Sequence, residues 1–373
     1  MKTAHGLIIG KFYPPHAGHH LLVRTAAAAS DRVTVVVCAS DQESIPLTAR
    51  VRWMQETHAA DLNVTFVGAV DNHPIDYDDP AVWDMHIAVF ADTVAGVTDE
   101  PVSAVFTSEP YGSELARRLG ALDIAVDPER SLAPVSGTAV RSDPLATWDQ
   151  LAEPTRGWFA RRVVVVGAES TGTTTVSRAL VDALRARGGA HGLTRWVPEH
   201  GRDFTIDKLA TDRARALLAG TPPPAIDELV WRTSEFVDIA NRQNELEDRA
   251  ARLGGPVLVC DTDAFATAIW HERYEGSAAP DVDALASHHP LYLLTHHDGV
   301  PFEQDGIRDG EHIRAWMTGR LLDALAATGR RTVVLTGSLD ERVAAGLAAI
   351  DELLAEGWHL ADPTLPTLPT VRR

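Results

Sequence analysis

The stretch VVVVGAESTGTTTVSRAL, Val163 to Leu180, reads as a strand, a glycine turn and a helix. Consecutive valines suit a strand covered on both faces, as in a parallel sheet. Gly167 and Gly172 have the spacing of the phosphate-binding loop G-x-x-x-x-G-K-[ST], and Thr174 fills its Ser/Thr place. The lysine place holds Thr173. The backbone N–H groups of such a loop cradle a polyphosphate. The residues from Gly167 through Glu169, Ser170, Thr171, Gly172, Thr173, Thr174 and Thr175 are therefore candidate phosphate contacts. The pattern predicts an α/β unit around this strand.

Outward from that stretch, strand-like and helical runs alternate. Downstream, TRWVPEH is followed by a long amphipathic helix expected over residues 226–253, then PVLVCDTD, PLYLLTHHD, a helix from Glu311, RTVVLTG and a last helix. Upstream, GLIIG, RVTVVVCAS, NVTFVGAV and VSAVFTSE alternate with helical segments. The βαβα order predicts two doubly wound parallel sheets, one in each of two domains. The pattern lapses around TWDQLAEPTRGWFARR, so the boundary is expected near Glu153 to Arg161. The expected domains are residues 1–155 and 156–360, with a loose Pro-rich tail over 361–373.

Composition fits a soluble globular enzyme. The chain has 373 residues, 45% apolar and 23% charged, and a formal net charge of −18. Such acidity argues against a broad nucleic-acid face. No window is long and apolar enough to span a membrane, and no signal peptide is expected, so a cytoplasmic protein is predicted. The two cysteines, Cys38 and Cys260, each follow a Val-rich run and read as buried thiols. A homo-oligomer stays open.

The strongest chemical motif is GKFYPPHAGHH, Gly10 to His20, directly after the first strand. His16 and His19 sit at the opening of a helix, where free N–H groups and the helix dipole favour an anion. Gly18 lets the backbone come close to a phosphate. A second motif, VSGTAVRSD, carries the helix-capping residues Ser136 and Thr138, with Arg141 three residues on. Together they match (T/H)xGH and (I/V)SxTxxR, and the chain resembles the nucleotidyltransferase superfamily.

Within it, the chain resembles the bifunctional nicotinamide mononucleotide (NMN) adenylyltransferase / ribosylnicotinamide kinase family over roughly residues 5–350. GKFYPPHAGH is similar to the family's opening. TSEPYG, Thr107 to Gly112, resembles its adenine-side loop, and DNHPIDYDDPAVW resembles a segment whose Trp stacks on nicotinamide. VCDTDAFATAIWHERYEG and PFEQDGIR resemble an Asp-rich strand end and a lid. Members with a regulatory role carry an N-terminal DNA-binding helix-turn-helix. Here the first strand begins by Gly6, so none is expected.

The resemblance implies adenylyl transfer from ATP to NMN, giving NAD and pyrophosphate. His16, His19, Arg141 and Lys11 are the implied catalytic residues. Gly10, Phe12, Gly18, Ser136, Thr138, Thr107 and Tyr111 are implied ATP contacts, and Trp83 and Asp71 face NMN. Asp76, Asp78 and Asp79 would suit the same cationic ring. Arg50 and Arg52 read equally as phosphate ligands or as solvated charges. In the second domain, Thr174 and Asp261 are implied Mg²⁺ ligands. Asp263 or Glu199 would face ribosylnicotinamide, one as base, and Arg308 would bring charge from the lid. Thr173 predicts slow phosphorylation or none, unless Lys208, Arg308 or Arg314 replaces the missing charge. Two other readings are another small-molecule nucleotidyltransferase, and a regulator that senses NAD or ATP on a non-catalytic loop.

Overall fold

A computed structural model describes residues 2–363. Two compact units emerge: residues up to Thr155 together with the segment from Trp358, and residues Arg156–Gly357. Most of the tail expected to be loose, residues 364–373, lies outside the described residues. Its first part does not hang free. The Ala361 N–H donates to Ser44 Oγ at 2.8 Å, and Pro363 is buried. Among the described residues, no helix is long and apolar enough to cross a membrane.

In the first unit, β1 (Thr3–Gly10), β2 (Ser30–Ala39), β3 (Val64–Val70), β4 (Ala104–Thr107) and β5 (Leu122–Ala125) form one parallel sheet, ordered β3-β2-β1-β4-β5. Successive residues of a strand face opposite sides. Val33, Val35 and Val37 of β2 therefore pack with Ile8, Val23 and Phe66. Val36 and Cys38 pack on the other face with Leu7, Trp83 and Val105. Both faces are apolar because helices cover both. After β1 the chain builds one half of the sheet, then crosses to β4 for the other. Such a switch point opens a crevice at the carboxyl ends of the strands, here those of β1 and β4.

The second unit repeats the principle with β6 (Arg161–Gly167), β7 (Arg195–Val197), β8 (Val257–Asp261), β9 (Leu291–Thr295) and β10 (Thr332–Leu335). Its sheet is also parallel, in the order β10-β9-β6-β8-β7. The valines of β6 divide between two cores. Val164 and Val166 pack with Leu258, Tyr292 and Met317. Val163 and Val165 pack with Leu180, Leu184 and Ile350. Burying each such side chain contributes about 1.5–3 kcal/mol, so this run anchors the loop that follows it.

Helices depart from expectation in two places. The helix expected over 226–253 is regular only as Thr233–Leu253. The Glu235 side chain accepts from the Arg232 N–H at 2.9 Å and starts it there. An unanticipated helix runs His200–Ala219, and only Leu209 of it is buried.

Candidate active sites

The turn after β1 is shaped by contacts among its own rings. His16 caps helix Ala17–Ala29, and its backbone N–H donates to His19 Nδ1 at 3.3 Å. The two imidazoles stack with centroids 3.8 Å apart, and Phe12 packs on His19 at 4.8 Å. A Cβ on Gly18 would stand 3.1 Å from the His16 ring, so glycine is what lets the ring lie there. Burial, then the charges of Arg130 and Arg141, pull the His16 pKa down to about 4. Burial, then His16, holds His19 well below 6.5. Both are neutral at pH 7, and each carries one N–H. Buried His16 Nδ1 has no hydrogen-bond partner among the described residues. The third histidine, His20, is buried and meets His58 Nε2 at 3.0 Å.

Arg141 reaches the same cavity from helix Gly137–Ser142. Its Nη1 donates to Tyr13 O at 2.8 Å and its Nη2 to Thr138 Oγ1 at 3.1 Å. Ser136 Oγ accepts from the Ala139 N–H at 3.1 Å, the expected cap. These groups, with Gly10, Phe12, Thr107 and Tyr111, line a cavity of about 630 Å³. Tyr111 donates to Ile9 O at 3.2 Å, and Thr107 Oγ1 accepts from the Glu109 N–H. Lys11 lines the cavity too, but its ammonium is engaged, by Glu43 Oε1 at 2.9 Å and Pro363 O at 2.6 Å.

Arg50 is neither a phosphate ligand nor a solvated charge. It is fully buried, pairs with Glu43 Oε2 at 2.7 Å, and donates to Lys11 O at 2.8 Å. It therefore clamps the backbone of the turn. Arg52 is largely exposed, 3.6 Å from Glu56.

At the end of the cavity near helix Pro80–Ala95, Trp83 is only 7% exposed, packs in the core, and donates from Nε1 to Tyr77 O at 3.0 Å. It still contributes to the cavity wall, with Asp71 and Asp76. Asp79 is a helix cap that accepts from the Ala81 N–H at 2.8 Å, and neither it nor Asp78 is among the lining residues. Asp71 holds His86 and His73 at 2.5 and 2.9 Å. Burial pushes its pKa up, but the bonds from His86 and His73 outweigh that and hold it below the ordinary value.

In the second unit, the loop after β6 has the conformation its glycines allow. Gly172 has φ +87°, which favours glycine, and it opens helix Thr173–Ala186. A Cβ on Gly167 would come within 2.4 Å of the Thr295 and Thr171 hydroxyls. Thr174 Oγ1 donates to Asp261 Oδ2 at 2.5 Å. Burial raises the Asp261 pKa, against the bonds from Thr174 and Thr173. A hydroxyl and a carboxylate paired at the mouth of such a loop are hard oxygen donors, which fit Mg²⁺.

Glu169, Ser170, Thr173, Thr174, Thr175, Glu199, Asp261 and Arg308 line a cavity of about 550 Å³. Glu199 is pushed up to about 7 by burial, then by the charge of Asp261. Asp263 does not belong to this wall. It is 1% exposed, accepts from the Ala266 N–H at 3.0 Å and the Tyr292 hydroxyl at 2.7 Å, and serves as a buried cap.

The replacement charges divide as well. Arg308 lines the cavity and reaches Ser170 Oγ at 3.4 Å. Arg314 donates to Ser170 O at 3.1 Å. Lys208 is held by Glu235 at 2.8 Å, over the Trp231 ring, and is not among the lining residues. Sequence reasoning missed Arg130 in the first cavity, and Arg178 and Arg202 in the second. The available signal for Arg178 was its place one helical turn after Thr174.

Residues 162–342 match the family model described as AAA domain. Two curated relatives align with most of the chain. One is the "Trifunctional NAD biosynthesis/regulator protein NadR" of Salmonella typhimurium, 25% identical over 81% of this chain and 71% of the relative. The other is its Escherichia coli counterpart, 25% identical over 82% and 72%. The chain is similar in sequence to NadR over most of its length. A crystal structure of NadR with NR has a TM-score of 0.70 at 21% identity, covering 100% of this chain and 99% of that one. A NadR structure with NAD and AMP-PNP has a TM-score of 0.68 at 21% identity, covering 94% and 96%. At that identity, the NadR structures establish the shared fold.

Proposed function

We propose that the first unit is an NMN adenylyltransferase, within a protein of NAD biosynthesis. An NMN phosphate oxygen attacks the α-phosphorus of ATP, a P–O bond forms, and the bond to the bridging β-phosphate oxygen breaks. NAD and pyrophosphate leave, with no covalent enzyme intermediate. The observation that carries this reading is the buried, unpartnered His16 Nδ1 beside Arg141 in the cavity at the sheet's switch point. The neutral imidazoles of His16 and His19 donate to phosphate oxygens as charge develops. Arg141, with Ser136 and Thr138, holds the leaving pyrophosphate. Catalysis here is positioning and electrostatics, supplied by groups fixed in advance. Trp83 and Asp71 lie at the NMN end.

The second unit binds ATP with Mg²⁺, which Thr174 and Asp261 would hold. Bound there, Mg²⁺ neutralises phosphate charge. Glu199 receives the ribosylnicotinamide hydroxyl proton. Transfer of phosphate to that hydroxyl is slow, because Thr173 offers no charge where the loop motif has a lysine. Arg308 and Arg314 already bond Ser170 and neighbouring carbonyls. The same vacancy of charge favours a second reading, a nucleotide-sensing unit without turnover.

Mass spectrometry of products from ATP with NMN, and separately from ATP with ribosylnicotinamide, tests both halves. NAD from the first mixture is required. In the second, Thr173→Lys raises the NMN yield over wild type. Ordinary kinase rates in wild type, unimproved by the lysine, would overturn the reading of the loop.

A further inference from the structure

Three side chains at the acceptor end of the first cavity form an arrangement that nothing above uses. Asp71 lies just past β3, His73 two residues on, and His86 on helix Pro80–Ala95, one turn past Trp83. His86 Nε2 is 3.0 Å from Pro74 O, and its Nδ1 is 2.5 Å from Asp71 Oδ2. His73 Nδ1 is 2.9 Å from Asp71 Oδ1, and the His73 backbone N–H donates to that same oxygen at 3.1 Å.

A carbonyl oxygen can only accept, so His86 Nε2 carries a proton and donates to Pro74. Nδ1 then faces a carboxylate oxygen. Two lone pairs do not meet at such a distance without a cation between them, either a second proton or a metal ion. Fixing one ring nitrogen with a carbonyl is how a protein sets the tautomer of a metal-ligating histidine. One ligand atom from each of the three residues lies within 4.8 Å of the others.

We propose that Asp71, His73 and His86 bind a divalent transition-metal ion of the Zn²⁺, Co²⁺ and Ni²⁺ class. Two imidazoles and one carboxylate select that class over Mg²⁺, which takes oxygen donors and keeps its waters. Three protein ligands leave a fourth position open to the cavity. Binding parts His86 Nδ1 from Asp71 Oδ2 to about 3 Å, as two bonds near 2 Å to one tetrahedral ion require, and the ion replaces any proton between them. All three residues line the cavity with Trp83. An ion there repels the cationic nicotinamide ring and occupies its approach, so metal and NMN exclude one another. That consequence, unlike the site itself, rests on the function proposed above.

The test is titration of the metal-free full chain with Co²⁺, followed by its visible absorption and by calorimetry. A second triad, His296, His297 and Asp298, belongs to the other unit and is controlled for with His296→Ala/His297→Ala. Wild type and that control should bind one tight equivalent. His73→Ala and His86→Ala should each weaken it at least about 10-fold, and the double variant should lose it. Equal affinity and stoichiometry in wild type and the folded His73/His86 double variant would overturn the proposal, as would no tight binding by wild type. Should the double variant fail to fold, His73→Asn decides, since that ring is partly exposed. Unchanged affinity in it overturns the site. NMN is then added to the Co²⁺-loaded protein. Release of the ion supports both readings. Tight binding that is lost in the histidine variants but untouched by NMN keeps the metal site and removes the placement of NMN beside it.

Discussion

His16 and His19 act in the proposed chemistry as neutral donors. A cationic imidazole would be lost in the pH range where the cell works, whereas these rings stay uncharged there. His16→Ala and His19→Ala should each lower NAD synthesis at least ~10²-fold, the loss expected for a fixed donor worth about 3 kcal/mol at a developing charge. His19 also packs on Phe12 and His16, so its variant should melt lower as well. Initial rates beside a melting curve separate the two effects. Near-wild-type turnover in the His16 variant would remove the motif from the chemistry.

Glu199 gives a test in pH. Its pKa lies near 7 in the folded chain, against an ordinary 4.5. Between these values the unfolded carboxyl has lost its proton while the folded one keeps it. The folded state thus binds the extra proton, and stability falls as pH rises through this window. Above about 7 the buried charge remains as a penalty. Glu199→Gln should therefore gain in melting temperature relative to wild type from pH 4.5 to pH 8. An offset that is the same at both ends would mean that Glu199 ionises normally.

At the scale of elements, the glycine turn before helix Thr173–Ala186 concentrates several requirements in a few residues. Gly172→Ala places a Cβ at φ +87°, a cost of about 1–2 kcal/mol. It should also weaken ATP binding, because the N–H groups that follow are aimed by that backbone. Denaturant unfolding and nucleotide titration check the two parts; a variant as stable as wild type would place the strain elsewhere.

The strands that hold these turns were legible, and the reason is burial on both faces. VVVV of β6 and VTVVVC of β2 have no polar alternation because helices cover both sides. β5, LDIA, carries no such run and sits at the sheet edge, largely exposed, so it left no trace in the pattern. Helix His200–Ala219 escaped for a related reason, since a helix burying one leucine has no apolar stripe. The site followed the same rule. His16, His19, Arg141 and the glycine loop are contiguous motifs whose spacing is itself the signal. Arg130 reaches its cavity only through the crossing of elements, whereas Arg178 and His86 each stand one helical turn past a residue of the motifs, Thr174 and Trp83, and were legible only from that spacing. Asp263 shows the opposite error, because an acid after a strand reads alike as a base and as a cap until its partners, the Ala266 N–H and the Tyr292 hydroxyl, are known.

For the whole molecule, the return of the chain to the first unit matters most. Removing the segment from Trp358 onward deletes the Ala361–Ser44 bond and the carbonyl that holds Lys11. At about 1 kcal/mol for each hydrogen bond, the first unit should unfold at lower denaturant, while Arg156–Gly357 should be unaffected. Tryptophan fluorescence resolved by unit reads this out, and an unchanged transition for the first unit would make the contacts incidental.

That return also orders events on the ribosome. The first sheet is complete once Thr155 has emerged, yet Pro363, whose carbonyl shares the Lys11 ammonium with Glu43, is made only after all of Arg156–Gly357. The nascent first unit must therefore wait, folded but unfinished, through the synthesis of the second. A chain cut short in translation would carry a cavity whose lysine is held by Glu43 alone.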